Sequence, residues 1–156
     1  MGQYTQGAYE RLVRRREQLD ELHKQALLSL GSSADDGNNT WHDNFGFEQA
    51  KRDVETSKVR LDEVTLLLNE AVIVPKPEDG TVGVGCDIVY RFDGDDEDRF
   101  AHIAGDRAIR FESDERQQLS IQSPFGSAIL GARVGDVVSY TAPSGRTFKV
   151  TLREID

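Results

Sequence analysis

The sequence predicts an α+β protein: an antiparallel coiled-coil hairpin of two α-helices, then a small α+β domain with an antiparallel sheet and one short helix. Between residues 44 and 73, apolar or small residues recur at alternating spacings of three and four. That period is typical of a helix packed against another helix. After residue 75 the pattern changes to short apolar runs separated by Gly, Asp and Pro, which is typical of strands and turns.

The second helix of the predicted hairpin has the clearer stripe. Its positions are Phe47, Ala50, Val54, Ser57, Leu61, Val64, Leu68 and Ala71. A first helix near residues 8–30 supplies a less regular stripe, interrupted by the polar Arg15: Ala8, Leu12, Leu19, Leu22 and Ala26. Residues 30–40 between the helices are rich in Gly, Ser, Asp and Asn, which stop helices and form turns. Because the chain carries both helices of the seam, we expect a hairpin within one monomer.

Two prolines, Pro75 and Pro77, end the second helix, because proline lacks the amide hydrogen and restricts the residue before it. We therefore predict two domains: residues 1–75 form the hairpin, with its tip at 31–43, and residues 76–156 form the second domain. Strand-like segments lie at residues 81–92, 99–105, 108–112, 119–123, 136–142 and 147–155. Residues 125–131 predict one helical turn that Gly131 closes.

Composition excludes several classes of protein. The net charge is −9, from 28 acidic and 19 basic residues. An autonomous DNA binder is disfavoured, since duplex binding relies on Lys and Arg to neutralise phosphates. No apolar run approaches the ~20 residues of a membrane span, and the N-terminus lacks the apolar core of a signal peptide. We therefore expect a cytoplasmic protein without membrane contact. The single Cys86 excludes an internal disulfide and a Cys-based zinc site, and its strand-like surroundings predict a packed thiol.

The motif at residues 123–138 reads SPFGSAILGARVGDVV. It resembles the C-terminal domain of the bacterial Gre transcription factors, and together with the hairpin the resemblance covers nearly the whole chain. It implies an FKBP-like fold for residues 76–156 and bacterial RNA polymerase as the partner. It also implies that this domain docks on the polymerase rim while the coiled coil enters the secondary channel, with its tip near the catalytic magnesium and the RNA 3′ end. The family's polymerase-facing loop corresponds to Gln122, Ser123 and Pro124.

The tip departs from the family pattern. Members that stimulate transcript cleavage read like DLSENAEYHAAKE at the start of the second helix, whereas residues 40–52 read TWHDNFGFEQAKR. The family's Glu therefore corresponds to Asp43, but its Asp corresponds to Thr40. Cleavage needs a second magnesium beside the first, and a single carboxylate holds this octahedral, oxygen-liganded ion poorly. Asp35 and Asp36 add acidic groups nearby. We expect no metal held stably by this chain alone, and an influence of Asp35, Asp36 and Asp43 on the polymerase magnesium.

Each candidate tip residue also has a structural interpretation. Asp43 fits the first turn of a helix, where the dipole favours an acid, and Asp35 and Asp36 fit a solvated turn. Trp41 either folds back on the helices or meets a partner. His42 contacts nucleic acid or nucleotide, or is a surface residue.

A basic run on the first helix has two interpretations as well. One is a contact to RNA or polymerase, and the other is a solvated face paired with Glu10, Glu17 and Asp20. The run consists of Arg11, Arg14, Arg15 and Arg16.

These features predict a polymerase-binding transcription regulator that inhibits or modulates transcription without efficient cleavage, acting as an accessory factor and not as an enzyme. The alternative is an elongation factor that stimulates transcript cleavage. An alternative of another class is a peptidyl-prolyl isomerase, which needs an aromatic-lined pocket. Its candidate lining residues are Tyr90, Phe92, Phe100, Phe111, Tyr140 and Phe148. A dimerising coiled-coil adaptor is disfavoured because both helices of the seam are present.

Overall fold

The computed structural model describes residues 2–35, 43–105, 107–108 and 117–156. Its elements are, in chain order, β1 (Gly2–Tyr4), α1 (Gln6–Asp35), α2 (Asp43–Asn69), β2 (Ala71–Ile73), β3 (Asp87–Phe92), β4 (Arg99–Ala104), β5 (Gln118–Ser120), α3 (Pro124–Ile129), β6 (Val137–Thr141) and β7 (Thr147–Ile155). The chain divides into a helical unit, Leu12–Glu70, and a sheet unit of Met1–Arg11 and Ala71–Asp156. The predicted α+β class, with a helical hairpin before a sheet domain, is confirmed.

The stripe predicted for the second helix is confirmed. All of its positions between Phe47 and Leu68 are buried or half-buried, and their neighbours on the outer faces are mostly exposed. In α1, Leu12 and Leu19 are buried at 0% and 3% exposure. Each helix therefore has one apolar side, and the hairpin forms because the two helices bury these sides against each other.

One seam residue was predicted wrongly. Leu22 is 51% exposed, and the seam position belongs to His23, whose Nδ1 lies 2.8 Å from the Ser57 Oγ on α2. A step of four from Leu19 reaches His23, and a further step of three reaches Ala26, so the heptad period holds with a polar residue inside it. The pair fixes the antiparallel register, and it places Leu19 level with Leu61.

The end of the first helix differs from the prediction. Helix α1 runs through Gly31 to Asp35, so the predicted tip at 31–43 begins within it. A single glycine weakens a helix by only about 1 kcal/mol relative to alanine. The hydroxyls of Ser32 and Ser33 bond back to the Ser29 carbonyl, at 3.1 and 2.8 Å, instead of capping a helix end.

The second helix ends at Asn69, and the predicted extension to residue 73 is wrong. Residues Ala71–Ile73 form strand β2, which pairs in parallel with β1. The amide of Val74 continues this pairing by donating to the Tyr4 carbonyl at 2.9 Å. The pairing joins residues 1–11 and 71–75 to the sheet unit, whereas the prolines had suggested a boundary after residue 75.

The main sheet has the strand order β5-β4-β3-β7-β6. Three of its pairings are antiparallel, as predicted, but β4 and β5 pair in parallel. The predicted strand at 147–155 is confirmed in full, whereas that at 81–92 is a strand only from Asp87. The predicted strand at 108–112 falls mainly outside the described residues.

The core of the sheet unit lies between one face of the sheet and helix α3. It includes Ile88 and Tyr90 from β3, Ile103 from β4, and Phe125 and Ile129 from α3. Cys86 is fully buried, as predicted, although it lies in the turn before β3. Because alternate strand residues face α3, the residues between them are left on the opposite face.

Candidate functional site

The loop from β5 into α3 is held by a compact set of hydrogen bonds centred on Ser120. The Ser120 carbonyl accepts from the Ser123 amide at 3.0 Å and from the Ser123 hydroxyl at 2.7 Å. The Ser120 hydroxyl accepts from the Gln122 amide at 3.2 Å. The loop is therefore fixed by its own polar groups before any partner is present.

Ser123 is the N-cap of α3. Its backbone is extended (φ −66°, ψ 152°), and its Oγ accepts from the Gly126 amide at 3.0 Å. Pro124 follows at the first helical position, where its missing amide hydrogen costs nothing. Gly131, with φ of +78°, follows the helix, and its amide donates to the Val82 carbonyl at 2.8 Å. The short helix predicted from the motif is thus capped at its start and closed by Gly131, as predicted.

Gly126 allows α3 to approach the end of β5. A Cβ at this position would lie 1.9 Å from the Ser120 carbonyl oxygen. Sequence reasoning singled out neither Ser120 nor Gly126, because the close approach depends on where the strand ends and is not visible in local pattern.

The three residues predicted to dock lie together but differ in role. Gln122 and Pro124 are exposed, whereas Ser123 is half-buried with its hydroxyl engaged in the loop. The arrangement therefore presents Gln122 and Pro124 outward on a fixed backbone, and Ser123 maintains that backbone.

An aromatic cluster lies behind α3. Phe125 stacks on Tyr140 with ring centroids 4.9 Å apart, and Tyr140 stacks on Phe148 at 5.5 Å. Phe92 contacts both Phe148 and Tyr90 edge-on. Burial raises the pKa of the phenols of Tyr90 and Tyr140 above the usual value. These rings pack against one another as a core does.

Of the two remaining aromatic candidates, the structure describes Phe100 alone. Phe100 is 67% exposed on the sheet, and Phe111 lies outside the described residues. The aromatic side chains that the structure describes therefore give the isomerase alternative no support.

The predicted tip residues Asp36, Trp41 and His42 lie outside the described residues. Asp35 is the last residue of α1 and Asp43 is the first of α2, and their side chains also lie outside the described set. The helix assignments place these two acids at the same end of the hairpin, which is where the tip was predicted.

The basic run on α1 is partly free of ion pairs. Arg14, Arg15 and Arg16 are exposed, and none has a carboxylate partner within the ranges that the structure describes. Asp20 instead pairs with Lys24 at 2.7 Å, and this hydrogen bond lowers the pKa of Asp20 below its usual value. Arg11 is half-buried.

The described part of the chain contains no cluster of three or more His, Cys, Asp or Glu side chains arranged to hold a metal ion. None of its helices has the length and apolar character needed to cross a membrane.

The chain is similar in sequence and in structure to several known proteins. Residues 76–156 match the family model described as "Transcription elongation factor, GreA/GreB, C-term". Over 153 residues the chain is 29% identical to the transcription elongation factor GreA of Streptomyces coelicolor, covering 95% of this chain and 88% of that protein. Over 146 residues it is 34% identical to the transcription inhibitor protein Gfh1 of Thermus thermophilus, covering 91% and 89%. The crystal structure of Gfh1 from Thermus thermophilus matches with 26% identity and a TM-score of 0.46, covering 99% and 97%.

Fold and site together define a two-unit protein with a helical hairpin and a sheet domain that presents a capped loop. The chain belongs to the GreA/GreB family of transcription factors.

Proposed function

We propose that this protein is a regulator that binds bacterial RNA polymerase, inserts its hairpin into the secondary channel, and inhibits or modulates transcription without efficient transcript cleavage. The observation that carries the proposal is similarity along nearly the whole chain to factors of opposite effect, an elongation factor and an inhibitor. Identity to the inhibitor is the higher of the two, 34% against 29%. In this role the protein is an accessory to the polymerase active site.

The composition of the tip favours inhibition. Thr40 stands where cleavage-active relatives carry an acid, so Asp43 lacks its expected carboxylate partner. A magnesium ion bound through one carboxylate is held weakly, so transcript cleavage that needs two metal ions is slow. Obstruction of the channel needs only the bulk of the hairpin, which the two long helices supply.

The contacts of the complex follow from the same proposal. The loop with Gln122 and Pro124 docks on the polymerase, and the protein acts as a monomer. The exposed Arg14, Arg15 and Arg16 meet RNA or an acidic polymerase surface, because a cluster of cations attracts such partners even on an acidic protein.

The second candidate, a cleavage-stimulating elongation factor, is favoured by the similarity to GreA. It requires Asp43 with Asp35 or Asp36 to hold the second magnesium despite the altered spacing.

We expect the double variant Gln122→Ala, Pro124→Ala to bind the cognate polymerase about tenfold more weakly, because small anchors near the centre of an interface often dominate affinity. Ser123 is retained, since loss of a helix N-cap costs about 1 kcal/mol of stability on its own. Binding is measured by titration of labelled protein, and melting is recorded for both proteins. Pro143→Ala, an exposed proline in the turn between β6 and β7, is the matched control and should bind normally. Unchanged affinity in a folded double variant would remove this loop from the interface.

We expect conversion of Asp35, Asp36 and Asp43 to Asn to weaken inhibition of full-length transcript synthesis. Amides keep the shape and most of the capping ability of these side chains but remove the negative field near the catalytic metal. The control removes the same three charges at exposed acids elsewhere on the hairpin: Glu17, Glu21 and Glu63→Gln. Equal inhibition by both variants would show that the tip acids play no part.

A further inference from the structure

The face of the sheet opposite to α3 carries an open groove of about 700 Å³. Ile88 and Tyr90 of β3 point into the core, so Asp87 and Val89 face the other way, into the groove. Phe100 of β4 lies in this groove and is 67% exposed. The groove shares no residue with the loop at Gln122–Pro124.

Strand register brings acidic and aromatic side chains together on this face. Val89 pairs with Phe100 on β4 and with Glu154 on β7, so these three residues form one row across the sheet. In the next row, the backbones of Asp87 and Asp156 exchange two hydrogen bonds of 2.9 and 2.8 Å. Paired residues of neighbouring strands project on the same face. Among the described residues, four acids line the groove together with the exposed ring: Asp87, Glu97, Glu154 and Asp156.

The local charges are only partly balanced. The His102 Nδ1 lies 2.7 Å from an Asp87 oxygen, and the Lys76 ammonium lies 3.8 Å from Asp156. Arg99 also lines the groove, and its guanidinium lies over the Phe92 ring and 3.1 Å from Asp95. In the portion of the chain that is described, Glu154 has no ion-pair partner. The row containing Phe100 therefore carries one uncompensated negative charge.

We propose that this groove binds a segment of another protein in which an arginine or lysine lies next to an apolar side chain. The cation rests over Phe100 and pairs with Glu154, combining attraction to the ring face with a charge-assisted hydrogen bond. The apolar neighbour covers Val89. Nucleic acid is repelled by these carboxylates, and a second copy of this chain is itself acidic, with a net charge of −9.

The test uses isotope-labelled full-length protein and two peptides, acetyl-Gly-Leu-Arg-Leu-Arg-Gly-amide and its counterpart with Glu in place of Arg. We expect the arginine peptide to produce saturable amide shifts in Asp87–Val89, Arg99–His102 and Glu154–Asp156, and added salt to weaken its binding. The glutamate peptide should produce no such shifts. Phe100→Ala and Glu154→Gln should each lower the affinity about threefold, as expected for one exposed cation–π or ionic contact.

Two matched controls lie outside the groove. Val137→Ala removes an exposed apolar side chain from β6, and Glu78→Gln removes an exposed acid, so both should bind the arginine peptide normally. Four results would overturn the proposal: no saturable shifts, equal binding of the glutamate peptide, unchanged affinity in both groove variants, or shifts centred on residues 93–96, an acidic segment that does not line the groove. Concentration-dependent shifts of the groove without peptide would assign it to self-association and would equally overturn it.

Discussion

Replacement of Gly126 by Ala is expected to destabilise the sheet unit by about 3 kcal/mol, the upper end of the usual cost of overpacking. The added Cβ would meet the Ser120 carbonyl oxygen at 1.9 Å, and backbone on both sides cannot yield as a flexible side chain does. Either α3 moves away from the core or the loop before it is displaced. Both changes disturb Gln122 and Pro124, so the proposed docking on the polymerase should weaken together with stability. Denaturant unfolding followed by circular dichroism measures the first effect.

The matched control for this substitution is Gly7→Ala, in the first turn of α1 and in the same compact unit. Its Cβ would meet only the end of the Arg11 side chain, at 3.6 Å, which is ordinary contact. We expect no loss, and a gain of up to about 1 kcal/mol, because alanine is the better helix former. A Gly126→Ala protein as stable as the parent would contradict the described approach of α3 to β5.

Leu19→Ala is expected to destabilise the hairpin by about 2–5 kcal/mol, the range for a leucine truncated inside a core. Leu19 is 3% exposed, and it lies one helical turn before His23, whose pairing with Ser57 sets the register of the two helices. Loss of its side chain leaves a cavity that the neighbouring helix cannot easily fill. Thermal and denaturant unfolding, monitored by helix content, gives the change in free energy.

Leu22→Ala makes the same chemical change three residues further along α1. Because Leu22 is 51% exposed, we expect a change within about 0.5 kcal/mol. Comparable losses in the two variants would mean that both side chains are buried, and would contradict the seam described above.

The hairpin was predictable because the helix period links sequence position directly to burial. On α2 that link held at each predicted position between Phe47 and Leu68. It failed at Leu22, since a repeat of seven from Leu19 to Ala26 admits either Leu22 or His23, and hydrophobicity favoured the leucine. Strand β2 was missed for a different reason. Its partner, β1, is remote in sequence, and a parallel pairing of that kind leaves no local trace.

The candidate site, like the hairpin, was predictable only in part. The motif predicted the short helix from residue 125, within one residue of its start at Pro124, but it assigned Ser123, the N-cap of α3, to the preceding strand. The requirement for Gly126 depends on the Ser120 carbonyl, whose position is set by the sheet. The groove around Phe100 was not predicted at all, because its residues come from three strands and meet only through the register.

The hairpin is proposed to inhibit the polymerase without promoting cleavage, and cleavage in stalled elongation complexes tests this proposal directly. The complexes, formed with the cognate polymerase and end-labelled RNA, are incubated with the unmodified protein, and 3′-cleavage products are scored beside the yield of full-length transcript. We expect a lower full-length yield and no more cleavage than with polymerase alone, because Thr40 cannot supply the missing carboxylate. Rapid cleavage by the unmodified protein, lost when Asp35, Asp36 and Asp43 are all Asn, would contradict the account and establish the protein as a cleavage-stimulating elongation factor.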